Sequence, residues 1–121
     1  MMLVFPVYGL AGDRVVVETA ETYFAAVKAG DVVTIHNLTG APLSEQIGTL
    51  ITNNAAYPEF LRAHYEGASA VVGNVSPLKK GDKQVELIIT YADQRQSLIE
   101  LTLSRQKAGK WMVTNQREVI E

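Results

Sequence analysis

Cysteine is absent from this chain of 121 residues. That excludes disulfides, thiolate nucleophiles and cysteine-ligated zinc or iron–sulfur centres. It leaves the compartment open, because a domain of this size needs no disulfide in either setting. Tryptophan occurs once and histidine only twice, at His36 and His64. The two histidines stand far apart with no acidic pair at i, i+4 beside either, so no metal-ligand spacing exists. A phosphate-binding glycine loop and a nucleophile elbow are both missing. There is no excess of positive charge: 11 Lys and Arg against 13 Asp and Glu give a net charge of -2. Nucleic acid is therefore not an expected partner. The one basic cluster, Lys79-Lys80-Gly81-Asp82-Lys83, has the composition of a solvated hairpin turn. No apolar run is long enough to span a bilayer.

What is present begins with an apolar stretch, Met1 to Ala11, followed at once by Gly12-Asp13-Arg14. It reads either as the end of an export signal, with Gly9 and Ala11 as the small residues a signal peptidase recognises, or as an edge strand or docking arm. The first reading is the favoured one and makes the protein exported or periplasmic; the second leaves it cytoplasmic. Leu10-Ala11-Gly12 is similar to a lipoprotein processing box, but Asp13 occupies the position of the lipidated cysteine, which rules out an anchor there. The chain divides into residues 1–12, an apolar N-terminal segment, and residues 13–121, one folded domain.

The front half of that domain is helical. Val16, Ala20, Tyr23, Phe24 and Val27 recur at i, i+4, i+7, i+8 and i+11, which predicts an amphipathic helix from Arg14 to Ala29. Asp13 fits its N-cap and Gly30 its C′ position. Asp31 then caps a short helix carrying Val32, Ile35 and Leu38. A third helix follows Pro42 with Ile47, Leu50 and Ile51 on its apolar face. Pro58 suits the first turn of a fourth, in which Phe60, Leu61, His64 and Tyr65 share a face before Gly67.

From Ala68 the period changes to two. Ala70 to Val75 forms a first strand, limited by Pro77. Val85, Leu87, Ile89 and Tyr91 alternate with more polar neighbours, as do Ile99, Leu101 and Leu103. Ala108-Gly109 then turns the chain into a strand starting at Trp111. These are antiparallel strands with one face buried. Helices followed by a meander make an α+β domain: N-terminal helices packed on a strongly curved four-stranded antiparallel sheet, cone-like in outline. Val85, Leu87, Ile89, Tyr91, Ile99, Leu101, Leu103, Trp111 and Val113 are the expected inner face, set against Val16, Ala20, Phe24 and Val27.

Three segments carry a family resemblance: Glu21-Thr22-Tyr23-Phe24-Ala25-Ala26-Val27-Lys28-Ala29-Gly30-Asp31, the run from Tyr57 to Tyr65, and Gly109-Lys110-Trp111-Met112-Val113. In this order the chain resembles the nuclear-transport-factor-2-like superfamily, and within it the short bacterial exported proteins of unknown function. The resemblance covers Asp13 to Val119 and implies a curved sheet wrapping the long helix, with dimerisation through the outer sheet face. It also implies an interior pocket. Superfamily enzymes such as ketosteroid isomerases and dehydratases place an Asp or His base there.

The residues expected to line a ligand pocket are Tyr23, Phe24, Val27, Phe60, His64, Tyr65, Tyr91 and Trp111. The only candidates for proton transfer are His64 and Asp31, and each has a plainer role: a packed or rim histidine, and a helix N-cap. His36 reads as a surface or partly buried residue and Asp93 as a turn residue. Because the inward strand positions are aliphatic or aromatic and include no acid, the expected function is non-enzymatic. It is the binding of a small apolar ligand or a protein interaction, with no cofactor and no metal. The alternative is a pocket enzyme transferring protons on a small apolar substrate, isomerase- or dehydratase-like. Ile88, Leu98, Met112 and Ile120 fall on the opposite face, where a homodimer or another partner would dock.

Overall fold

The computed structural model describes residues 11–119, and the expected export signal or arm lies outside them except for its last two residues. Helix α1 spans Ala11–Ala29, so it starts three residues before the expected Arg14. Asp13 is accordingly not the cap. It is buried within the first turn, and its carboxylate pairs with Lys83 at 3.2 Å, tying the start of α1 to the sheet. Gly30 closes the helix at a φ of +66°, a left-handed conformation that a side chain resists. A Cβ there would also lie 2.5 Å from the Pro58 carbonyl oxygen.

Three shorter helices follow: α2 (Val32–Leu38), α3 (Leu43–Asn53) and α4 (Tyr57–His64). Pro58 sits in the first turn of α4, where a missing N–H costs nothing. The chain then enters β1 (Ser69–Pro77), β2 (Lys83–Thr90), β3 (Gln96–Arg105) and β4 (Trp111–Val119). They form one antiparallel sheet in the order β1-β2-β3-β4, curled around α1 but not closed. The expected α+β class, with helices N-terminal and a four-stranded antiparallel sheet, is the observed one. A single 3-10 turn at Lys79–Gly81 joins β1 to β2, with Lys80 and Gly81 both at positive φ.

The inner face is the alternating set. Val85, Leu87, Ile89, Ile99, Leu101, Leu103 and Val113 are buried against Val16, Ala20, Tyr23 and Phe24 of α1. Tyr91 and Trp111, at the ends of the strands, are only half-buried at its margin. Two bulges help the sheet to curl. In β1, Gly73 and Asn74 together stand opposite Glu86. A Cβ at Gly73 would crowd the Glu86 carboxylate at 3.2 Å, and Glu86 in turn accepts from the Asn74 N–H.

The second bulge is at Thr114 in β4. Leu103 pairs with Val113, but Thr102 pairs with Asn115, leaving Thr114 as an extra residue. Its hydroxyl is held by the Ser104 hydroxyl at 3.1 Å and bonds the Thr102 carbonyl. The bulge reverses the alternation: Gln116 stands opposite inward Leu101, while Arg117 faces outward and pairs with Glu100. Val119 is the residue opposite Leu98, and Ile120 lies outside the described residues.

Candidate functional site

The centre of the curled sheet is filled. Between α1 and the inner strand face, bounded by Phe24, Leu87, Ile89, Ile99 and Leu101, a space of only about 20 Å³ remains. That is room for about one water molecule. The concavity that adjoins this core lies at the mouth, where the helices meet β4: a cleft of about 220 Å³, while a larger one of about 320 Å³ lies apart from it on the outer sheet face around Ile88, Leu98 and Glu118. Four of its residues, Tyr23, Val27, Tyr65 and Gln116, also border the small interior space, so the two are adjoining.

Each wall follows from local sequence. Tyr23 and Val27 are one helical turn apart on α1 and project on the same side. Ile35 of α2 is placed beneath them because Asp31 caps that helix: the Thr34 N–H and hydroxyl both donate to its carboxylate, at 3.1 and 2.7 Å. From α3 come Leu43, Gln46, Ile47 and Leu50, spaced three and four apart along one face. From α4 come Tyr57 and Leu61, with Tyr65 just beyond it. Gln116 is the one strand residue, and it is there only because of the Thr114 bulge.

The chemistry of this lining is neutral and polar on an apolar frame. The Tyr23 hydroxyl donates to Gln116 Oε1 at 2.6 Å. Burial raises the pKa of Tyr23 well above that of a free phenol, with smaller contributions from Tyr57 and Tyr65. Tyr57 is raised by burial too. Tyr65 is pushed up to about 12, chiefly by burial, then by Tyr91, Tyr57 and Glu118. The three phenols are close enough that ionising one opposes ionising the next, so all remain protonated donors near neutral pH. No carboxylate, imidazole, ammonium or guanidinium belongs to the lining among the described residues.

The expected pocket residues separate into three groups. Tyr23, Val27 and Tyr65 line the cleft, and Phe24 borders the small interior space. Phe60, His64 and Tyr91 instead form an aromatic shelf on the outside of α4 and the end of β2. Phe60 stacks on Tyr57 and on His64, with centroids 6.3 and 5.6 Å apart. His64 meets Tyr91 edge-on at 5.5 Å, and the Arg95 guanidinium lies 5.7 Å from the Tyr91 ring centre. Phe60 is 55% exposed. Trp111 packs against the core at the start of β4 and borders neither space.

Asp31 and His64, the two candidates for proton transfer, are both exposed and outside the cleft. Hydrogen bonds from Thr34 hold the Asp31 carboxyl below the usual carboxylate range, which is the behaviour of a cap. Asp93 holds its turn through the Arg95 N–H and side chain, at 3.1 and 2.7 Å. His36 is exposed on α2. Among the described residues, no three His, Cys, Asp or Glu side chains gather as metal ligands. None of the described helices is long and apolar enough to cross a membrane.

On the outer face, Val71 stands opposite Ile88, Ile88 opposite Leu98, and Leu98 opposite Val119. The register thus draws one apolar row across all four strands, with Val71 65% exposed. Met112 is half-buried and pairs with Ser104, away from that row.

Residues that sequence reasoning left out of the site are Gln116, Tyr57, Leu61 and the α3 face. Ile47 and Leu50 were legible as an apolar helix face, but not as facing Tyr23. No protein-family model, curated protein or solved structure matches this chain.

Proposed function

We propose that the chain is a non-enzymatic binding domain whose ligand, a small molecule, sits in the cleft between α1, α3, α4 and the bulged end of β4. The observation that carries this is the cleft itself: about 220 Å³, adjoining a closed core, with converging phenols and amides on an apolar frame. A small-molecule site is a concavity of this kind, mostly apolar with a few placed polar groups. Its size exceeds that of a cavity of about 150 Å³ that admits benzene, so a ligand of one ring or a compact pair of rings is accommodated. Proton transfer is disfavoured as a function because Asp31 and His64 stand outside the cleft and its phenols stay protonated. The helix-first order and the meander around α1 support a cone of the nuclear-transport-factor-2-like kind.

The test is a ligand-observed NMR screen of ring-sized fragments against the wild-type chain and Leu50→Trp. Leu50 lines the cleft yet is 47% exposed, so an indole there blocks the space without disturbing the core. Fragments that perturb Tyr23, Ile47 and Tyr65 in the wild type and bind no longer in the variant support the reading. Fragments that survive Leu50→Trp count against it.

The apolar row Val71–Ile88–Leu98–Val119 favours a second reading alongside the first: self-association through the outer sheet face. Sedimentation should show a dimer that Ile88→Asp dissociates, and a wild-type chain that stays monomeric at high concentration rejects it.

A further inference from the structure

We propose that the ligand of this cleft is uncharged and carries a hydrogen-bond acceptor that meets the hydroxyls of Tyr57 and Tyr65; this specifies the ligand class and rests on the binding reading above. The exclusion of charge comes first. Among the described residues nothing in the lining carries a charge at neutral pH, so an anion or a cation entering the cleft loses water without gaining a counter-charge. Glu118, the carboxylate whose field reaches Tyr65, is exposed and outside the lining, and it repels anions.

The polarity of the required group follows from which bonds are already made. Tyr23 has its one O–H committed to Gln116 Oε1. Among the described residues, neither the Tyr57 nor the Tyr65 hydroxyl has a partner within the chain. Burial keeps both protonated, so each offers an O–H. The Gln46 and Gln116 amides, both in the lining, add N–H donors. Each of these groups holds an O–H or N–H that nothing among the described residues takes up, so a carbonyl, ether or ring nitrogen is matched where a hydrocarbon is not. Leaving such donors unpaired on burial costs more than a hydrogen bond gains, which makes the discrimination steep. The apolar body of the ligand then rests on Val27, Ile47 and Leu61.

Four probes of equal frame separate these terms: acetophenone, ethylbenzene, benzoate and benzamidine, titrated into isotope-labelled protein and followed by amide and tyrosine ring shifts. Acetophenone is expected to bind with shifts at Tyr57, Tyr65 and Gln116, and ethylbenzene about tenfold more weakly. Benzoate and benzamidine are expected at least about tenfold weaker than acetophenone as well. Tyr57→Phe combined with Tyr65→Phe keeps both rings, and its folding is checked by thermal melt. It should erase the preference for acetophenone over ethylbenzene while leaving the ethylbenzene affinity in place. Benzoate or benzamidine binding in the cleft as tightly as acetophenone overturns the ligand class and leaves the binding cleft standing. An unchanged preference in the double variant does the same. Failure of all four to shift any cleft residue overturns the class and the cleft reading together.

Discussion

Truncating Gln116 should destabilise the protein more than removing the hydroxyl that bonds to it. Tyr23→Phe deletes the donor and leaves the Gln116 carbonyl on a side chain that is exposed, where water replaces the lost partner. The expected cost is that of one ordinary hydrogen bond, about 1 kcal/mol. Gln116→Leu deletes the acceptor and leaves a phenol O–H on a residue that is only 4% exposed. A stranded donor costs about 1–3 kcal/mol. The leucine recovers only a few tenths of that through its better fit to a strand. The double variant removes both halves and should cost no more than Gln116→Leu alone, which gives a coupling energy of about 1 kcal/mol between the two positions.

The assay is urea denaturation followed by far-UV circular dichroism, with unchanged m-values required so that midpoints report stability. In a domain of this size about 1 kcal/mol corresponds to roughly 3–6 °C in Tm, so calorimetry provides an independent reading. Strict additivity of the two substitutions, or a Gln116→Leu variant as stable as wild type, would refute the pairing. It would also refute the inward placement of Gln116 by the bulge.

Four further outcomes follow from the same structure. Tyr65 has its pKa raised to about 12 from an ordinary 10.0, so its contribution to stability is complete below pH 10 and is lost as pH rises toward 12. Urea midpoints between pH 8 and 11 should fall less steeply for Tyr65→Phe than for wild type. Gly30→Ala places a Cβ 2.5 Å from the Pro58 carbonyl oxygen at a φ of +66° and should cost about 2 kcal/mol or more, read from the same urea curves. Leu101→Ala, at a fully buried position opposite α1, should cost about 3 kcal/mol and lower Tm accordingly. Asp31→Ala should cost about 1 kcal/mol through the lost cap, while fragment affinity for the cleft stays unchanged; a loss of binding would place Asp31 in the site after all.

How far the sequence reaches depends on the range of the force being read. The buried strand faces were legible because alternation is a local property: Leu101 and Leu103 are inward in any register that buries one of them. The α1 stripe was legible for the same reason, and Asp31 declared its capping role through its place between Gly30 and Val32. The start of α1 was not, since Asp13 in a turn-like context looks like a cap until Lys83, far along the chain, arrives to pair with it. Gln116 was out of reach for a related reason. The pattern Val113-Thr114-Asn115-Gln116 breaks alternation, but only the bond between Thr114 and Ser104 decides that one extra residue is absorbed there. That single residue turns Gln116 inward and Arg117 outward, and so sets both the polar floor of the cleft and the Glu100 pair on the other face. Parity alone would carry Asn115 and Arg117 onto the inner face after Val113 and put a cation there. With the bulge in place the same face ends in an amide bonded to Tyr23, and the cleft it borders asks for an acceptor.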